Sequence, residues 1–192
     1  MIFTDTAVSY GDTEIRYDDA TGIAFHSLNI SGTVNSSDGF IGIRSPSKHI
    51  KIKIRCRSGF FGFKSLKNNY EEICSTAFEH LASPITNKLI RKITGGGSFQ
   101  IGNLTFDATG ITANGLFGRS KRVTWELRPE VKEIHSNFLW MSSVSGYIAI
   151  SYFYPPTGQI ISIAATSSRT ENGCLVPALI RQMNEIHNGR KA

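Results

Sequence analysis

Between His49 and Arg57 every second side chain is a cation: Lys51, Lys53, Arg55 and Arg57 alternate with Ile50, Ile52, Ile54 and Cys56. A period of two is the spacing of one face of a β-strand, so the cations share one side and the apolar set the other. Four positive charges on one strand face make a stripe that attracts phosphate-bearing partners. The plainer account is a solvated sheet face balanced by Asp12, Glu14, Asp18 and Asp19 on neighbouring strands, since opposite charges across an antiparallel pair are stabilising. The stripe lies in a longer stretch of one sign. Gly39 to Tyr70 holds eight Lys and Arg and no acid, whereas Met1 to Asp38 holds six acids and only Arg16.

A second basic cluster, Arg119, Lys121 and Arg122, follows the apolar Leu116-Phe117-Gly118. A basic loop with an apolar tip suits contact with an anionic membrane, and equally an ordinary solvated loop. Phe60, Phe61 and Phe63 stand among glycines, either as an aromatic contact loop or as core under a following helix.

Patterns for bond-making chemistry are missing. The five histidines show no His-x-x-x-His spacing, and Cys56, Cys74 and Cys174 form no Cys-x-x-Cys pair, so no metal site or cofactor is expected. Gly95-Gly96-Gly97 lacks the Gly-Lys-Ser/Thr ending of a phosphate loop, and Ser143-Val144-Ser145-Gly146 lacks the flanking glycines of a nucleophile elbow. The expectation is a protein that is not an enzyme. Three widely spaced cysteines suit thiols in a reducing compartment.

With 192 residues, 40% hydrophobic and 19% charged, the chain has ordinary globular composition. Its net charge of +6 is modest for a nucleic-acid binder, and no helix is basic along a face, so nucleic acid is disfavoured. No apolar run reaches membrane-spanning length, and Met1-Ile2-Phe3-Thr4-Asp5 lacks the layout of a secretory leader. The expected location is cytoplasmic, with membrane association as the alternative.

Two similar halves should position these residues. Ile15-Arg16-Tyr17-Asp18-Asp19 lies over Val123-Thr124-Trp125-Glu126-Leu127 at an offset of 108, and Gly39–Ile43 over Gly146–Ile150 at 107. Ile50–Ile54 answers Ile160–Ala164 at 110, and each half finishes with a helical stretch. The expected copies are residues 1–94 and 98–192, joined at a glycine hinge over 95–97, where glycine stops a helix and lets the chain reverse.

In copy one, strands are expected over Thr6–Tyr10, Glu14–Tyr17, Ile23–Ile30, Phe40–Arg44 and His49–Cys56, separated by turn residues. A helix from a cap at Asn69 should then carry Ile73, Ala77, Phe78, Leu81, Ile85, Leu89, Ile90 and Ile93 inward, kinked or restarted at Pro84. In copy two, strands are expected over Phe99–Phe106, Gly110–Asn114, Arg122–Leu127, Val131–Trp140, Gly146–Tyr154 and Gln159–Thr166. Its helix, Gly173 to His187, tolerates Pro177 only in the first turn.

Short antiparallel strands closed by one C-terminal helix resemble the pleckstrin-homology-like fold. The aromatic-then-acid strands Val123-Thr124-Trp125-Glu126-Leu127 and Ile15-Arg16-Tyr17-Asp18-Asp19 resemble those of bacterial pleckstrin-homology-like and GRAM-type domains. The resemblance implies an α+β, mainly β protein of two tandem antiparallel β-barrel or sandwich domains, each closed by a helix. Phe99–Phe106 has no counterpart in copy one, which is then short by a strand or completed by a neighbour. The loop that binds phosphoinositides in the family corresponds to Tyr10-Gly11-Asp12, which carries no cation.

The expectation is therefore a binding or scaffolding module for a protein or peptide partner, or for a second copy of itself. The rival is an anionic surface, lipid headgroup or nucleic acid, gripped by Lys51, Lys53, Arg55, Arg57, Arg119, Lys121 and Arg122.

Overall fold

Antiparallel pairing of short strands dominates the computed structural model, which is α+β and mainly β. It describes the backbone at residues 1–30, 35–58, 63–115, 120–134, 137–138, 141–143, 147–167 and 170–189, and fewer of the side chains. By its internal contacts the chain forms two units, Met1–Ile85 with His135–Gly146, and Thr86–Ile134 with Tyr147–Ala192.

In the first unit, β1 (Ile2–Phe3), β2 (Ala7–Tyr10) and β3 (Thr13–Arg16) form a three-stranded sheet in that order. A 3-10 turn at Tyr17–Asp19 leads into β4 (Gly22–Ile30), β5 (Asn35–Arg44) and β6 (His49–Ser58). Ile23 pairs with Ile43, and Ile43 with Ile50; all three are buried, because alternation brings their side chains to one face. Two strands from later in the chain, β12 (Asn137–Phe138) and β13 (Met141–Ser143), extend this sheet beyond β4 in the order β12-β13-β4-β5-β6. Sequence reading placed residues 131–140 in one strand. Instead that strand stops at Ile134, Asn137–Phe138 pair with Met141 and Ser142, and Met141–Ser143 pair with Leu28–Ile30.

Helix α1 (Phe63–Thr94) begins ahead of the expected cap at Asn69 and continues through Pro84. Ala77, Leu81, Ile85, Ile90 and Ile93 are buried at helical spacing, whereas Phe78 is 38% exposed and lies off the stripe. The helix ends in a hydrogen-bonded glycine cap. Gly96 N–H donates to the Ile93 carbonyl at 2.9 Å and Gly97 N–H to that of Lys92 at 2.9 Å, and Gly96 takes a φ of +83°, a region open to glycine.

In the second unit, β7 (Phe99–Ile101), β8 (Leu104–Asp107), β9 (Gly110–Asn114) and β10 (Ser120–Thr124) form one sheet. The single strand expected over Phe99–Phe106 is thus a hairpin turning at Gly102-Asn103. A 3-10 turn at Trp125–Leu127 precedes β11 (Glu130–Ile134), which pairs with β14 (Tyr147–Tyr154) and through it with β15 (Gln159–Ser167). A further 3-10 turn opens α2 (Val176–Gly189), with Pro177 in its first turn as expected. Val176, Leu179, Ile180 and Met183 are its buried side, continuing from Leu175 of the turn. None of the four sheets closes into a barrel among the described residues. No described helix is long and apolar enough to cross a membrane.

One expected match shifts. Ile150 pairs with Ala164 as Ile43 pairs with Ile50, so Ala164 holds the place that the sequence match gave to Ile160. Ile160 lies further out on a longer hairpin and is 68% exposed, against 2% for Ile50.

Candidate functional site

The cation strand is β6, the last strand of its sheet. Lys51 and Lys53 are exposed and Ile50 is buried, as alternation requires. Their partners on β5 are Gly42 and Phe40, and Lys51 Nζ stands 5.6 Å from the centre of the Phe40 ring, a cation–π contact. Arg55 and Arg57 lie opposite Asp38 and Ser36 by backbone register; their side chains fall outside the described residues.

This register corrects the expected balance of charge. Asp12, Glu14, Asp18 and Asp19 belong to the hairpin and turn of a different sheet, and the acid across from the stripe is Asp38. Lys48 does meet that hairpin, but through the backbone carbonyl of Glu14, 3.0 Å from Nζ.

Of the second cluster, Arg119 lies outside the described residues, Lys121 is exposed, and Arg122 is engaged within its own sheet. Arg122 Nη2 donates to both oxygens of Asp107, at 2.7 and 2.8 Å, and to the hydroxyl of Thr109; Nη1 donates to Thr112 Oγ1 at 2.6 Å. Burial on its own would raise the Asp107 carboxyl, but the bonds from Arg122 and Thr109 outweigh it and hold it below the usual carboxylate value. Phe60 and Phe61 lie outside the described residues, as does the side chain of Phe63.

One arrangement that sequence reading missed occurs in both units. Thr4 Oγ1 accepts from the backbone N–H of Thr6 and Ala7, at 3.4 and 3.1 Å, and the Thr4 carbonyl accepts from Tyr17 Oη at 2.8 Å. Asp107 Oδ1 likewise accepts from the N–H of Thr109 and Gly110, at 2.8 and 3.1 Å, and the Asp107 carbonyl accepts from Trp125 Nε1 at 2.9 Å. Tyr17 and Trp125 each open a 3-10 turn, are buried, and stack on a histidine of the following helix. The rings of Tyr17 and His80 are 4.8 Å apart at 12°, and those of Trp125 and His187 are 6.1 Å apart at 22°. His80 and His187 are separated by 107 residues, matching the sequence offsets, and that spacing was the available signal. The arrangement ties hairpin, turn and helix together in each unit.

Among the described residues no His, Cys, Asp and Glu cluster could hold a metal ion. Cys74 and Cys174 are thiols, not disulfide halves, and burial pushes the Cys74 thiol up to about 11. The chain matches no family model, no curated protein and no solved structure in the comparisons made.

Proposed function

We propose that the chain is a non-catalytic binding module of two pleckstrin-homology-like halves, which takes an extended segment of a protein or peptide partner. The recurrence of hairpin cap, aromatic turn and helix histidine, in the same order in both units, supports the duplicated ancestry. The observation that carries the binding reading is the outer edge of β6: ten residues long, it pairs only with β5 among the described residues. An open edge offers main-chain donors and acceptors that an added strand satisfies. Peptides selected from a random library should protect β6 amides from exchange. They should also retain their binding to the triple variant Lys51→Ala, Lys53→Ala, Arg55→Ala. Loss of binding in a folded triple variant would refute backbone-led recognition.

The second reading is an anionic partner. It is favoured by the exposed Lys51 and Lys53, which no described carboxylate contacts as an ion pair. Binding to vesicles containing phosphatidylserine that weakens steeply with salt would support it. Background co-sedimentation at low salt would remove it.

A further inference from the structure

Phe3 and Phe106 hold equivalent places, each in the strand that enters the capped hairpin. Phe3 is opposite Val8, and Phe106 is opposite Ile111. Phe106 is fully buried, with Phe99 of β7 stacked on it at 5.2 Å and 15°. Phe3 is half-buried and Ile2 beside it is 66% exposed. No strand in the first unit corresponds to β7: β1 ends its sheet, with β2 as its one neighbour among the described residues.

The backbone points the same way. Thr4 N–H donates to the Ala7 carbonyl at 2.9 Å, so Thr4 stands at a bonded position, with its N–H turned toward β2. Bonded and non-bonded pairs alternate along an antiparallel ladder, which turns the N–H and C=O of Phe3 away from β2. In the second unit the equivalent groups of Phe106 face Phe99. The first unit thus presents the acceptor half of a strand pair whose donor half the second unit contains.

We propose that the outer edge of β1 receives an extended segment of a partner polypeptide, paired antiparallel to Phe3. Its side chains follow the aromatic–polar–aliphatic order of Phe99-Gln100-Ile101, with the aromatic ring laid over Phe3. This edge is separate from β6, and either can fail without the other.

The test has two arms, both on the full chain. In the first, a synthetic peptide of residues 97–102 is added at millimolar concentration and amide exchange is followed by NMR. In the second, residues 97–103 are copied directly ahead of Met1, so that Met1 takes the place of Leu104 and linkage replaces affinity. Protection of the Phe3 amide by about tenfold or more is expected in the fused chain, and in the peptide arm at saturation. The Phe99→Ser version of the added segment should give none. An unchanged Phe3 rate in the fused, folded chain overturns the proposal, as does equal protection by the serine version. Protection confined to β6 overturns it while leaving the β6 reading in place.

Discussion

Arg122 grips both carboxylate oxygens of Asp107 and so ties β10 to β8 across the intervening β9. A cation counted from sequence as available to a phosphate is already committed to a neighbour. Because the Asp107 carboxyl is held below its unfolded value, its contribution to stability is present above about pH 4 and is lost as pH falls through the folded value. Asp107→Asn should cost up to about 1 kcal/mol at pH 7, since the pair is partly exposed. The difference from wild type should shrink toward pH 3, as read from urea titrations at both pH values.

Gly110 lies hard against the strand with which it pairs. A Cβ there would meet the Val123 carbonyl oxygen at 2.2 Å and Thr124 Cα at 2.9 Å, both backbone atoms of the paired strand. Neither can step aside without opening the β9–β10 ladder. Gly110→Ala should destabilise by about 3 kcal/mol, with a lower urea midpoint and an unchanged slope.

Tyr17→Phe removes one hydrogen bond, that to the Thr4 carbonyl, and keeps the stack on His80. The expected loss is about 1 kcal/mol at neutral pH. Burial, with Asp5 adding to it, raises the phenol above its ordinary value, so its stabilisation is present below about pH 10 and is lost as pH rises through the folded value. Wild type and variant should converge in alkali, which thermal melts across that range would record.

The Cys74 thiol, pushed up to about 11 chiefly by burial, should resist alkylation. At pH 8 its rate should be about a hundredfold below that of the unfolded chain, as measured by site-resolved mass spectrometry. Equal rates in the two states would refute a buried thiol.

Local alternation made β6 legible, because Ile50 and Lys51 must face opposite ways on any strand. The match of Ile43 to Ile150 was legible too: Ile43 lies directly opposite Ile23 in its sheet, as Ile150 lies opposite Val131 in the other. The matching register failed at Ile160, because a longer hairpin inserts residues that composition does not distinguish from core. The helix start was misplaced because Asn69 looks like a cap, although the helix begins at Phe63 and Tyr70 Oη donates to the Phe40 carbonyl. Least legible was the joining of Met141–Ser143 to Leu28–Ile30: strand neighbours far apart in sequence leave no local periodic trace. Residues 135–168 also carry no Asp, Glu, Lys or Arg, so charge pairing offered no guide there. Of the candidate site, the cations were readable one by one. Their surroundings were not, since Phe40 under Lys51 and Asp107 against Arg122 depend on pairing across strands.

The β12–β13 hairpin has a consequence for biosynthesis. The outer flank of β4 is covered by residues 141–143, which leave the ribosome long after β4, β5, β6 and α1 have been made. A nascent chain paused at Gly97 would display that flank bare, with its amides unsatisfied and open to pairing with other nascent chains. Synthesis of the first unit is therefore not finished at the glycine seam and runs on through Gly146.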